Sequence, residues 1–150
     1  ALTMLFGWNQ FRSERWWDKK AEAYIAIIDK FHALLDEDLE YWDADEKHAD
    51  IPDTVKDELR AKAKAAENEI LRLMRLSEFL ICEEASRTLR IMFQKMEAAQ
   101  NTPDWVEFRT NESRALWDGF NSFKKIAAKD LGVVWLIPRI WDTLKSKLGH

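Results

Sequence analysis

At 150 residues the chain suits one domain. Its 47% hydrophobic and 33% charged residues exclude a disordered polymer. A net charge of −4 argues against a general nucleic-acid binder, while leaving room for a local basic patch. Only four Gly and three Pro are present, so long uninterrupted elements are expected. The single Cys82 has no internal disulfide partner and fits a reducing compartment. Eight Trp is a high count for this length, and Trp favours cores, interfaces and membrane–water boundaries.

No apolar run approaches the ~20 residues that span a bilayer. The opening Ala-Leu-Thr-Met-Leu-Phe-Gly-Trp reads as the trimmed end of such a span, with a frayed or core-packed end as the alternative. Residues 1–16 are therefore expected to form a juxtamembrane stub. A first helix is predicted from about Thr3 to about Trp42. Its inner line is Trp17, Ala21, Tyr24, Ile28, Phe31, Leu35, Leu39 and Trp42, in steps of three or four. Residues 43–51 are polar and read as a loop. Asp50 or Asp53 is the candidate cap of the next helix, and Pro52 suits a first turn.

The second helix is expected over about 53–80, with Leu59, Ala63, Ala66, Ile70, Leu73 and Leu80 inward. A break near 81–83 would separate it from a third helix over about 84–100; without the break the two are one. Ala85, Leu89, Met92, Met96 and Ala99 form the inner face of that third helix. Asn101-Thr102-Pro103-Asp104 is a stop-and-restart signal, with Thr102 expected to cap and Pro103 to take the first turn. The fourth helix runs to about Asp130 on Trp105, Phe108, Leu116, Phe120, Phe123 and Ala127, and Gly132 suits its C-terminal cap. A short tail helix from Pro138 to about Leu148 is expected within residues 133–150.

The fold class is all-α. It is expected to be an up-down bundle of about four long amphipathic helices over 17–132, plus the short C-terminal helix, with both termini at one end. Residues 36–58, at the other end, carry eleven Asp or Glu against Lys47 and Lys56. Basic residues collect toward the end holding the termini. Arg72, Arg75, Arg87, Arg90, Lys124 and Lys125, drawn from three helices, form the candidate anion site, because Arg forks and Lys charges suit phosphate oxygens. Phe6, Trp8, Trp16, Trp135 and Trp141 are the candidate membrane-interface residues. Aromatic rings at headgroup level beside Arg and Lys are the composition of an interfacial belt.

Catalytic signals are weak. His32 and Asp36 are four apart, a spacing that can hold a metal, but nothing completes a set. Glu83 and Glu84 are neighbours that point apart on a helix and suit its first turn. Cys82 has no evident His partner and reads as a small buried residue. There is no phosphate-cradling Gly loop, no Glu-x-x-His pair and no nucleophile elbow. The sequence is read as non-enzymatic, with no cofactor and no metal.

Trp17, Lys20 and Tyr24, within Trp-Asp-Lys-Lys-Ala-Glu-Ala-Tyr-Ile-Ala-Ile-Ile28, resemble the opening of a loose group of uncharacterised bacterial single-pass membrane proteins with a helical cytosolic domain. Ile126-Ala-Ala-Lys-Asp-Leu-Gly132 resembles their closing segment. The likeness covers the layout of most of the chain, but only these two pieces in residues. The chain departs from the group in lacking a full span and in carrying Val133–His150. The resemblance implies a place on the cytoplasmic face of the inner membrane. It also implies a layout shared with anti-phage membrane effectors, including a CRISPR-associated one that binds cyclic oligoadenylate. The expected function is that of a membrane-associated, self-associating helical domain. Its anionic ligand would be a cyclic oligonucleotide or a lipid headgroup. The alternative is a scaffold bundle that binds a protein partner.

Overall fold

The structure, a computed structural model, describes residues 2–46 and 52–133, with side-chain surroundings over 13–43 and 52–133. The described residues are all-α. Four helices follow one another: α1 Leu2–Glu46, α2 Asp53–Leu76, α3 Glu83–Gln100 and α4 Trp105–Leu131. The closest pairings are α3 with α4, α1 with α2, and α1 with α4, which makes a helical bundle. The expected tail helix, Trp135 and Trp141 lie outside the described residues, as do Asp50 and the side chains of Phe6 and Trp8.

Local chemistry sets the helix ends. The first helix passes the expected stop at Trp42 and continues to Glu46. Pro52 stands just before the first turn of α2, not in it. That helix stops at Leu76, earlier than the hydrophobic pattern predicts, because the chain turns at Ser77. The Leu80 and Ile81 amides bond to the Ser77 carbonyl at 2.8 and 3.0 Å. The break between second and third helices is therefore present, and Glu83 and Glu84 occupy the first turn of α3, where the dipole favours acids. At the start of α4, Asp104 and not Thr102 is the cap: its carboxylate accepts from the Glu107 amide at 2.8 Å. Gly132 closes α4 in a left-handed conformation, φ 69°. The Gly132 amide bonds to the Lys129 carbonyl and the Val133 amide to the Ala128 carbonyl, both orphan acceptors of the last turn.

The core is one cluster. From α1 it takes Tyr24, Ile27, Phe31, Leu34 and Leu35; from α3, Ala85, Leu89, Met92, Phe93 and Met96; from α4, Leu116, Phe120, Phe123 and Ala127. The Phe31 ring lies 5.3 Å from Phe120 and 5.7 Å from Phe123. In α2 only Ile70 is fully buried; Ala63, Ala66 and Leu73 are partly covered. Two expected inner residues of α1 are corrected. Trp17 is 44% exposed, because it lies beside the last turn of α4. Leu39 is exposed because Asp38, one residue and about 100° earlier on the helix, takes the inner position.

Candidate functional site

Two polar nodes tie the helices together, one near each end of α4. At the last turn of α4, the Lys20 ammonium pairs with Asp130 at 2.6 Å. The Tyr24 hydroxyl donates to the other Asp130 oxygen at 2.5 Å and accepts from the Cys82 amide at 3.1 Å, with the Cys82 sulfur 3.4 Å away. Burial first, then its bonds to Asp130 and Cys82, push the Tyr24 hydroxyl well up. For Asp130, burial pushes the carboxyl up, but the bonds from Lys20 and Tyr24 and the Lys20 charge outweigh it and hold the group below its ordinary value. The Trp17 indole N–H donates to the Leu131 carbonyl at 3.0 Å. The turn between α2 and α3, the end of α4 and the Trp17–Tyr24 stretch of α1 thus meet at one place.

Because α1 is continuous, its residues 2–16 run on past that meeting place, a length of about 22 Å. Residues 13–16 of this projection are exposed, Trp16 at 52%. Leu76 and Phe79, in and beside the turn after α2, are 67% and 86% exposed. Among the described residues no helix is long and apolar enough to cross a membrane.

At the first turns of α4, Asp38 of α1 is 95% buried. Three α4 side chains at four-residue spacing hold it. Arg109 Nη2 donates at 3.2 Å, Ser113 Oγ at 2.7 Å and Trp117 Nε1 at 3.2 Å. Spacing of four puts the donors on one face of α4, where all three reach the same buried carboxylate. Arg109 also pairs with Glu112 at 2.7 Å and lies 4.2 Å over the Tyr41 ring. The Trp105 indole donates to the Tyr41 hydroxyl. Tyr41 also packs edge-on against Trp42 at 5.8 Å and sits 6.0 Å from Trp105, so Trp42 and Trp105 lie at one end. Burial raises the Glu112 carboxyl, against the nearby Arg109 charge and its hydrogen bond. Burial likewise raises Glu37, which the Lys62 and Arg109 charges partly offset and the Glu40 charge reinforces.

The six expected anion-site residues are not equivalent. Arg72 is engaged by Glu69 at 2.6 Å and Arg87 by Glu83 at 3.0 Å, each on its own helix. Lys124 is half-buried, 4.4 Å over the Phe120 ring; burial first, then the Lys125 charge, lowers its pKa. Arg75, Arg90 and Lys125 are exposed. His32 packs edge-on to Phe120 at 5.5 Å, and among the described residues no group of His, Cys, Asp and Glu can hold a metal ion. Sequence reasoning missed the Asp38 node entirely. The one available signal was the Arg109/Ser113/Trp117 spacing opposite an acid on an otherwise apolar line.

The chain matches no protein family, no curated protein and no solved structure.

Proposed function

We propose that this is a non-enzymatic helical domain that works at a membrane surface, approaching the bilayer with the end where α1 outruns α4. In this reading the helices run up-down-up-down and the inner faces of amphipathic helices form the core. The contacts that support this topology are Tyr24 with Cys82 and Asp130 at one end and Tyr41 with Trp105 at the other. The observation that carries the function is the projecting stretch of α1 with Trp16 exposed at its base, next to exposed Trp17 and Lys19. Indole rings at headgroup depth beside an exposed ammonium group favour an anionic surface. Arg75, on the last turn of α2 that leads into the same end, adds to the attraction.

The test is co-sedimentation of the full chain with vesicles of phosphatidylglycerol or of phosphatidylcholine. Binding is expected to the anionic vesicles alone, to weaken with salt, and to fall by about tenfold in the Trp16→Ala/Trp17→Ala variant. Failure to sediment with either vesicle at low salt overturns the reading.

The second reading is a scaffold that docks on protein. The apolar side chains of Leu76 and Phe79, both more than two-thirds exposed, favour it. A Leu76→Ser/Phe79→Ser variant that alters self-association by light scattering, while leaving vesicle binding intact, would move the assignment to this reading.

A further inference from the structure

A cavity of about 520 Å³ lies between α1, α2 and the first turns of α4, closed at one side by the end of α3 and residues 102–103. That volume is within the ordinary range for small-molecule sites. One wall is apolar, from Leu59, Ala63 and Met96; another is aromatic, from Tyr41, Trp105 and Phe108. Four carboxylates also line it: Glu37, Asp38, Glu67 and Glu112.

Four cations, Lys56, Arg60, Lys64 and Arg109, line it as well, but they do not pair one to one with the carboxylates. Lys56 and Arg60 stand over the Trp105 ring, 5.3 and 4.7 Å from its centre, and pair with Asp53 and Asp57 outside the cavity at 3.8 and 3.5 Å. Lys64 is drawn to Glu67 at 3.3 Å. Asp38 is satisfied by its three α4 donors, and Arg109 shares itself between Asp38 and Glu112. Among the described residues two buried side-chain atoms have no partner: Glu37 Oε2 and Arg109 Nε. A buried acceptor and a buried donor left open each cost free energy, and a folded chain tolerates such atoms where something else completes them. Among the four lining carboxylates, Glu37 is therefore the one without an ion-pair partner, and one buried acceptor and one buried donor stand unpartnered beside apolar and aromatic surface.

We propose that this cavity binds a small organic ammonium cation that carries an oxygen acceptor and an apolar or aromatic body. The ammonium donates to Glu37, the oxygen accepts from Arg109 Nε, and the body lies against Ala63, Met96 and Phe108. Raised carboxyl pKa values at Glu37 and Glu112 agree, since a bound cation would restore their ionised forms. The site is independent of the membrane-facing end.

The experiment is isothermal titration calorimetry of the full chain with phenylethanolamine, and with mandelate as the anion of matched size. Saturable binding is expected for the amine and none for mandelate. Glu37→Gln is expected to weaken the amine by about tenfold or more, as loss of a buried charge-assisted bond does, with the melting temperature unchanged or raised. Ala63→Leu, which narrows the cavity where the ligand body lies without touching a charge, should weaken the amine while the protein stays helical. Equal binding of mandelate, no saturation by the amine at millimolar concentration, or undiminished binding in both variants overturns the proposal. Global unfolding of Glu37→Gln together with undiminished amine binding in Ala63→Leu would overturn it too, as it would make Glu37 a structural group. Vesicle binding should be the same in all three proteins, so failure here leaves the membrane reading untouched.

Discussion

Asp38, Glu37 and Asp130 are acids withdrawn from water to different degrees and with different company. Asp38 has three donors, Asp130 has an ammonium and a phenol, and one oxygen of Glu37 has none. The consequence is opposite pH behaviour. Asp130 has a depressed folded pKa, so its contribution to stability is fully present above the unfolded value of about 4 and is lost as pH falls through the folded value. Glu37 has a raised folded pKa, so its ionised form costs stability at neutral pH. That cost shrinks as pH falls through the folded value and is gone below the unfolded value of about 4.3. Denaturant unfolding at a series of pH values from neutral to acidic checks both. Asp130→Asn should be less stable than the parent at neutral pH, with the gap closing in acid. Glu37→Gln should be as stable or more stable at neutral pH, and its gap should also close in acid. A gap that widens with acid in either variant contradicts the account.

Between elements, the tightest fit is α3 on α4. Gly119 of α4 is buried against Met92 of α3, and a methyl group built there would stand 2.5 Å from Met92 Cγ and 2.8 Å from its Cβ. The near contact with Cβ cannot be relieved by turning the end of the Met side chain. Gly119→Ala therefore pits a helix-propensity gain of about 1 kcal/mol against an overpacking cost of about 1–3 kcal/mol. The cost is expected to win, lowering the urea midpoint; a raised midpoint would show that α3 and α4 can separate freely. Glycine serves differently at position 132, where no atom crowds the site but the positive φ favours a residue without Cβ.

Across the molecule, packing is uneven. The α1, α3 and α4 helices supply nearly all of the fully buried side chains, while α2 supplies Ile70, pairs with α1 and roofs the cavity. An element with few buried contacts opens at lower free energy than the whole. Hydrogen exchange should therefore show α2 amides exchanging by local opening, well ahead of the central turns of α3 and α4. Equal protection in α2 and α4 would mean that α2 belongs to the same cooperative unit. If the cavity binds an amine, that ligand should slow exchange in α2 above all.

Helix class and approximate boundaries were legible in the sequence because apolar spacing, the break at Asn101–Asp104 and Gly132 act within a few residues of chain. The inner positions read for α3, Ala85, Leu89, Met92, Met96 and Ala99, are buried for the same reason, while buried Ser86 gave no such signal. The expected faces of α1 failed at Trp17 and Leu39, since periodicity records which residues can be buried and not where a neighbouring helix stops. That α1 outruns α4, exposing Trp17, depends on the relative length and registry of two elements far apart in sequence. The Asp38 node and the cavity were invisible for a stronger reason. An acid on a helix reads as solvent-facing until another helix brings Arg109, Ser113 and Trp117 to it. A cavity is the volume that several side chains fail to fill, and only the tertiary structure decides that.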